Sequence, residues 1–220
     1  MKKKAIIFDM DGVIFDTERI YRDIWMTVYK KHNFEMNHDI YRTFIGKSKQ
    51  TIIGMLKERY GQNFIAEDLF VELEAELKKE IDNGQVPVKK GAVEIFDYLK
   101  KNNFKMAIAT SSPRTKLDMQ LKIHNLEKIF DAIICADDVT KSKPDPEIFL
   151  VAAKKLDVLP QECVVIEDSP AGIKAAYDGN ITAIHVEDLV KPNEEICKCS
   201  VVQLKNLIEA KRYIEDNYVK

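Results

Sequence analysis

Five short apolar runs, which alternate with segments of helical periodicity, constrain the fold of this chain most strongly. The runs are rich in Ile and Val and occupy residues 4–8, 105–110, 131–135, 162–167 and 181–186. Runs of this kind, without strict alternation of apolar and polar residues, are typical of strands that are buried on both faces of a parallel sheet. Because strand and helix alternate, the sequence predicts an α/β fold in which right-handed crossovers build a parallel sheet.

Two of the helical segments have a clear apolar face. The residues of these faces recur at helical spacing: Ala92, Ile95, Phe96 and Leu99 in one segment, and Phe149, Ala152, Ala153 and Leu156 in the other. We predict that both faces are buried in the core.

Three polar-proline pairs mark the starts of helices that follow strand ends. They are Ser112-Pro113, Asp145-Pro146 and Ser169-Pro170. In each pair we expect a helix N-cap followed by proline at the first helical position. Ligands of open parallel sheets bind outside the carboxyl ends of the strands, so we expect the functional residues in these loops.

The long gap between the first and the second strand indicates an insertion. Residues 9–105 are far more than one crossover needs, and two groups of apolar residues within them recur at helical spacing. The groups are Ile20, Ile24 and Val28 beside Tyr21, Trp25 and Tyr29, and Leu69, Leu73, Leu77 and Ile81. We interpret these stripes as core and assign residues 17–85 to an all-helical domain, inserted into a domain of residues 1–16 and 86–220.

The charge balance and the content of cysteine and histidine exclude several classes of protein. Lys and Arg number 34 against 36 Asp and Glu, a net charge of −2, which argues against a disordered chain and a nucleic-acid polymer as partner. No apolar run approaches the roughly 18 residues that span a bilayer, so we expect a soluble, cytoplasmic protein with no membrane partner. The 4 cysteines lack zinc-ribbon spacing and the 4 histidines form no cluster, so we expect ordinary thiols and no zinc site.

Two aspartates follow the first apolar run directly, in the segment Asp9-Met10-Asp11-Gly12. In an extended segment, residues two apart point the same way, so Asp9 and Asp11 should project into one space beyond the sheet. Two carboxylates there raise each other's proton affinity unless a cation intervenes, which suits one metal-bound nucleophile and one proton donor. A charged turn after a strand is the alternative interpretation.

Hydroxyl groups and a lysine lie at two other strand ends. Thr110 and Ser111 end the second run before a helix N-terminus, where hydroxyls and backbone N–H groups can bind an anion. Lys143 lies in a segment that prolines stiffen, which fixes the direction of its charge. Simple helix capping and a surface lysine are the alternatives for these two segments.

Two further acids, Glu167 and Asp168, follow the fourth run. They should face Asp9 if the first and fourth strands are neighbours. Hard oxygen ligands beside a phosphate group describe a Mg²⁺ site, because this ion prefers few carboxylates and retains water molecules.

These motifs together resemble those of the haloacid dehalogenase superfamily, in the branch of β-phosphoglucomutase and related sugar-phosphate phosphatases. The motifs read D-M-D-G-V-I-F-D-T-E from Asp9, A-T-S-S from Ala109, S-K-P-D-P from Ser142, and V-I-E-D-S-P-A-G-I from Val165. The resemblance extends from Asp9 to about Val186. It implies a Rossmann-like, three-layer core with a helical cap domain inserted after the first strand.

The resemblance also implies a role for each site residue. Asp9 would attack phosphorus and form an aspartyl-phosphate, while Asp11 would protonate the leaving oxygen and then activate water. Thr110, Ser111 and Lys143 would bind the phosphoryl oxygens. Mg²⁺ would be held by the Asp9 carboxylate, the Asp11 main-chain carbonyl and Asp168, with Glu167 binding either directly or through water.

Two departures from the mutases of this branch favour a phosphatase over a mutase. Those mutases resemble this chain but have a histidine where it has Tyr21, and an arginine where it has Lys49. Arginine binds a phosphate with two donors and lysine does not, so the grip on a second phosphate is weaker here. Lys47 and Lys49 are candidate substrate contacts from the cap, although lysines on a solvated helix end are the alternative.

Proteins of two other functional classes could also have acidic residues at strand ends. A signalling receiver domain takes up a phosphoryl group, but it needs neither a second aspartate two residues after the first nor a long helical insert. A catalytically silent binding protein of the same fold is the other alternative. We expect a small phosphorylated substrate, most simply a sugar phosphate, with a nucleotide monophosphate as the other fit. We expect a monomer, although the sequence leaves the oligomeric state open.

Overall fold

The chain divides into two compact units. The computed structural model describes residues 2–44, 49–83, 86–189 and 191–219. One unit comprises Met1–Asp16 with Pro87–Lys220, and the other comprises Thr17–Val86. Within the described ranges, no helix is both long enough and apolar enough to cross a membrane.

A parallel sheet forms the centre of the first unit. Its strands are β1 (Ala5–Phe8), β2 (Lys105–Ala109), β3 (Ala132–Ile134), β4 (Cys163–Glu167), β5 (Thr182–Val186) and β6 (Val202–Leu204). They follow the order β3-β2-β1-β4-β5-β6, and every neighbouring pair is parallel. This is the strand order of the Rossmann fold. The predicted α/β fold with a parallel, Rossmann-like core is therefore confirmed, whereas β6 was not predicted.

α-Helices form most of the remaining regular structure of the two units. They are α1 (Thr17–Lys31), α2 (His38–Arg42), α3 (Lys49–Tyr60), α4 (Ala66–Asp82), α5 (Ala92–Lys101), α6 (Arg114–Ile123), α7 (Glu147–Lys155), α8 (Pro170–Asp178), α9 (Glu194–Cys199) and α10 (Leu207–Tyr218). The predicted apolar faces of α5 and α7 are buried, as expected for helices that cover a sheet.

Only one of the three polar-proline pairs begins its helix as predicted. Ser169 is the N-cap of α8, and its hydroxyl accepts the N–H of Gly172 at 3.0 Å. For α6 and α7 the prolines themselves are the N-caps, so both helices begin one residue later than the sequence indicated. The hydroxyl of Ser112 donates to Asp11 instead of capping α6. Asp145 Oδ1 accepts the N–H of Glu147 at 3.0 Å.

The second unit has an aromatic core. Trp25 stacks on Tyr29 with 5.4 Å between ring centroids, and it meets Phe70 edge-on at 5.3 Å. Of the two predicted stripes of α1, Trp25, Val28 and Tyr29 are buried, whereas Ile20, Tyr21 and Ile24 are only half-buried. On α4, Leu69, Leu73 and Leu77 are buried. The side chain of Ile81 lies outside the described residues.

The two segments that connect the first unit to the second run side by side. Asp16 N–H donates to Pro87 O at 2.9 Å, and Lys89 N–H donates to Ile14 O at 2.8 Å. Phe15 and Val88 form an antiparallel bridge between these contacts. The backbone of the first unit is therefore continuous in space across the insertion.

Candidate active site

Asp9 lies directly beyond β1, at the centre of the sheet. Its N–H donates to Ile166 O of β4 at 3.0 Å, so the ladder between β1 and β4 extends one residue past the strand. The Asp9 side chain is buried, and its Oδ1 accepts a hydrogen bond from Lys143 Nζ at 2.6 Å. The adjacency of β1 and β4, on which the prediction for Glu167 and Asp168 depended, is present.

Lys143 connects the ends of three strands. Its Nζ donates to Asp9 Oδ1 at 2.6 Å, to Glu167 Oε1 at 2.8 Å and to Ala109 O at 3.3 Å. The ammonium group also lies 4.9 Å from the centre of the Phe149 ring. Burial lowers the pKa of this lysine, but the two carboxylates outweigh burial and raise its pKa above the ordinary value. Lys143 is therefore charged at neutral pH.

Three carboxylates converge beside this lysine. Oxygen atoms of Asp9, Glu167 and Asp168 lie within 4.8 Å of one another. The pKa of Asp9 is raised to about 7, because burial raises it by more than Lys143 lowers it, and Glu167 raises it further. When all are ionised, the three carboxylates and Lys143 carry two negative charges in excess, and a divalent cation would neutralise both. The donor set, which contains only oxygen, suits a hard cation.

Two glycines keep room for these carboxylates. A Cβ on Gly172 would lie 1.9 Å from Glu167 Oε1, and a Cβ on Gly12 would lie 2.4 Å from Asp168 Oδ2. Gly12 also has a φ of +79°, which side chains rarely adopt. Glu167 Oε2 accepts the N–H of Ser169 at 2.5 Å, so the start of α8 fixes the second oxygen.

A buried histidine lies behind the acidic cluster. His185 Nε2 is 3.1 Å from the main-chain oxygen of Asp168. Burial lowers the pKa of His185, so we expect a neutral ring that supports the Asp168 backbone by donating from Nε2. Sequence reasoning missed this residue because a lone histidine within an apolar strand has no pattern.

Asp11 has partners of its own. Its Oδ2 accepts a hydrogen bond from Ser112 Oγ at 2.6 Å, and its Oδ1 accepts one from Lys116 Nζ at 2.8 Å. Neither partner was predicted: Ser112 was assigned to helix capping, and Lys116 resembles any lysine on a helix surface. No local pattern marked them, because both contacts join α6 and the residues before it to a segment about 100 positions earlier in the chain.

The remaining predicted residues lie in different surroundings. Thr110 is buried, and its Oγ1 accepts the N–H of Ser112 at 3.0 Å, whereas Ser111 is exposed. Lys49, in the second unit, pairs with Glu74 at 2.6 Å and lies 5.1 Å from the ring centre of Phe70. Lys47 lies outside the described residues.

Comparisons with known proteins agree with the motifs. A phosphorylated carbohydrates phosphatase of Thermotoga maritima is 33% identical over 182 residues, which cover 83% of this chain and 84% of that protein. A validoxylamine A 7'-phosphate phosphatase of Streptomyces hygroscopicus subsp. limoneus is 29% identical, over 82% and 84% of the two chains. The crystal structure of a β-phosphoglucomutase from Clostridium difficile superposes with a TM-score of 0.72 at 26% identity, over 98% and 97%.

A family model decides the assignment. Residues 6–186 match the model of the haloacid dehalogenase-like hydrolases, a range that includes every strand-end residue of the candidate site. The relatives compared above include two phosphatases, in agreement with the prediction of a hydrolase. The chain therefore belongs to the family of haloacid dehalogenase-like hydrolases.

Proposed function

We propose that this hydrolase is a Mg²⁺-dependent phosphatase that acts on a small phosphorylated metabolite through an aspartyl-phosphate on Asp9. The observation that carries the proposal is the placement of Asp9. Its carboxylate lies at the end of the central strand, within hydrogen-bond distance of a charged lysine and beside two further carboxylates. Phosphoryl transfer needs positioning and charge neutralisation above all, and this arrangement supplies both.

The acidic cluster suits Mg²⁺. We assign the ion to Asp9, Asp168 and the main-chain carbonyl of Asp11, with Glu167 as a further ligand. When bound, the ion neutralises charge on the phosphoryl oxygens. The support in this chain is the close approach of three carboxylates, their excess of negative charge and the space that Gly12 and Gly172 leave for them.

The residues of the chain divide the chemistry between them. Asp9 attacks phosphorus, the bond from phosphorus to the leaving oxygen breaks, and Asp11 donates a proton to that oxygen. Asp11 then accepts a proton from the water that attacks the aspartyl-phosphate and releases inorganic phosphate. Lys143, Thr110 and Ser111 bind phosphoryl oxygens in both steps, because an ammonium group, hydroxyls and a helix start offer donors.

We assign residues 17–85 the role of a cap that supplies substrate contacts, with Lys47 and Lys49 as candidates. The support is that these residues are an excursion from the catalytic core, between Asp16 and Pro87, with a compact core of their own. The relatives named for phosphatase activity act on phosphorylated carbohydrates and on validoxylamine A 7'-phosphate, and a sugar phosphate is accordingly our first choice of substrate.

A phosphosugar mutase is the second candidate, since a β-phosphoglucomutase shares the fold. Tyr21 and Lys49, where the mutases have histidine and arginine, favour the phosphatase. In addition, Lys49 is already paired with Glu74 at 2.6 Å, so its charge has a partner within the cap.

Phosphate release from a panel of sugar phosphates and nucleotide monophosphates tests this proposal. We expect release that requires Mg²⁺, stops with EDTA and resumes when Mg²⁺ is restored. A chain that releases no phosphate from any substrate, but converts a hexose 1-phosphate to the 6-phosphate once a hexose bisphosphate is added, would be a mutase. A chain without activity in either assay would favour the alternative of a binding protein.

Gly172→Ala is expected to weaken Mg²⁺ binding about tenfold, because the new Cβ would displace Glu167, and residues that orient metal ligands affect affinity by this amount. The measurement is the Mg²⁺ concentration that gives half-maximal phosphate release. Gly54→Ala in α3 is the matched control, since a Cβ there meets nothing within 4 Å. It should stabilise the helix by about 0.5–1 kcal/mol and leave Mg²⁺ affinity unchanged. Equal effects of the two variants would contradict a role for Glu167 in the metal site.

A further inference from the structure

The contacts of Asp11 point to a residue outside the sequence motifs. Ser112 Oγ donates to one carboxylate oxygen of Asp11 at 2.6 Å, and Lys116 Nζ donates to the other at 2.8 Å. Lys116 Nζ also lies 3.2 Å from Ser112 Oγ, so the three side chains contact one another in a closed ring. The carboxylate of Asp11 therefore cannot turn about its last bond without losing both contacts.

Both donors are half-buried and lie at the start of α6. Ser112 immediately precedes Pro113, the N-cap of α6, and its N–H donates to Thr110 Oγ1 at 3.0 Å. Lys116 lies in the first turn of α6, and its side chain is only 17% exposed. A side chain with little exposed surface loses less freedom when it binds a partner than a fully exposed side chain does. The pair can therefore set the position of Asp11.

The two aspartates of the first motif are paired with different lysines. Lys143 contacts Asp9, and Lys116 contacts Asp11. Two carboxylates two residues apart repel each other, and a separate cation for each reduces that repulsion and directs the side chains to different neighbours. Asp11 is directed to the loop after β2, which also carries Thr110 and Ser111.

We propose that Lys116 is a positioning residue, which together with Ser112 holds the Asp11 carboxylate on the side of the β2 loop where it exchanges protons with the leaving oxygen and the attacking water. This inference rests on the proposed function, in which Asp11 is the acid and base. Lys116 touches no reacting atom in this scheme. Its loss therefore lowers turnover more than it weakens substrate binding.

The kinetic test compares Lys116→Met, Lys116→Arg and the wild type in Mg²⁺-dependent phosphate release. We expect Lys116→Met to lower kcat about ten- to hundredfold, the loss that follows misplacement of a reacting group, with KM changed by less than about twofold. Lys116→Arg, which keeps the charge, should recover most of the loss. Lys174→Met is the matched control, because it breaks a Lys–Asp pair on α8 that is more than a third exposed. A wild-type kcat in Lys116→Met, or a change in KM alone, would overturn the inference.

A stability cycle tests the same contact without any activity. Thermal unfolding is measured for Lys116→Met, Asp11→Asn and the double variant. We expect non-additive changes in Tm, because each single variant already removes the contact. Additive changes would overturn the inference, even if the wild type released no phosphate. A wild type without activity together with non-additive changes would refute the proposed function while the contact stands.

Discussion

Replacing Asp9 by asparagine is expected to abolish phosphate release, by about ten-thousandfold or more, while the fold persists. The amide has nearly the shape of the carboxylate and can still accept the hydrogen bond from Lys143, but it cannot attack phosphorus. The measurement is phosphate release from the best substrate at saturating Mg²⁺. Residual release within tenfold of the wild type would mean that Asp9 is not the nucleophile.

The same variant should be more stable than the wild type when metal is absent. The folded state raises the pKa of Asp9 to about 7, so folding favours its protonated form. The stability of the wild type then falls as the pH rises from about 4 to about 7, and the loss is complete above that range. Asparagine has no proton to lose. We expect a Tm about 4–8 °C higher than that of the wild type at pH 8 with EDTA, and no difference near pH 4. A lower Tm at pH 8 would contradict the excess of negative charge in the cluster.

Replacing Lys143 by methionine is expected to produce the largest loss of stability. The ammonium group is buried and binds Asp9 and Glu167, and its removal leaves both carboxylates without it. Loss of one partner from a buried ion pair costs about 3–5 kcal/mol. Tm should therefore fall by roughly 10 °C at pH 8, and phosphate release should be lost.

The pH dependence and a matched variant make this prediction specific. Without Lys143 the pKa of Asp9 rises further, so protonation relieves the repulsion and the loss of Tm should be smaller at pH 5 than at pH 8. Lys174→Met removes the same kind of side chain from an exposed pair with Asp178 and should change stability by less than about 1 kcal/mol. An equal effect of Lys143→Met at both pH values would argue that the loss comes from packing against Phe149 rather than from charge.

The part of the fold that sequence predicts best is the part with the strongest periodicity. The five strands that were predicted are short but apolar and almost entirely buried, and the faces of α5 and α7 repeat at helical spacing. The strand β6 contains only Val202, Gln203 and Leu204, lies at the edge of the sheet and is at most half-buried, so no apolar run marked it. The observed starts of α6 and α7 lie one residue after the predicted starts, because a polar residue before proline can bind a group other than the backbone of its own helix.

The site was predictable to the extent that its residues follow strands directly. Asp9, Thr110 and Glu167 each come immediately after a strand or end one, so knowledge of the sheet is enough to group them. The roles of Lys116 and His185, in contrast, follow from contacts between segments that are separated in the chain. Lys116 reaches Asp11 over 105 positions, and no local pattern distinguishes it from a solvated lysine.

The hydrogen bond between Asp16 and Pro87 lets the length of the insertion vary without a change in the core. Its two ends already meet in the core, at 2.9 Å from N to O, so the length of the excursion between them is independent of the register of β1 and β2. A short turn could join these residues in place of the whole helical unit, and a longer unit could be accommodated for a small additional closure entropy, because that entropy grows only with the logarithm of length. With residues 17–85 in the proposed role of a cap, substrate preference could be exchanged together with the inserted unit, while the residues at the strand ends stay the same.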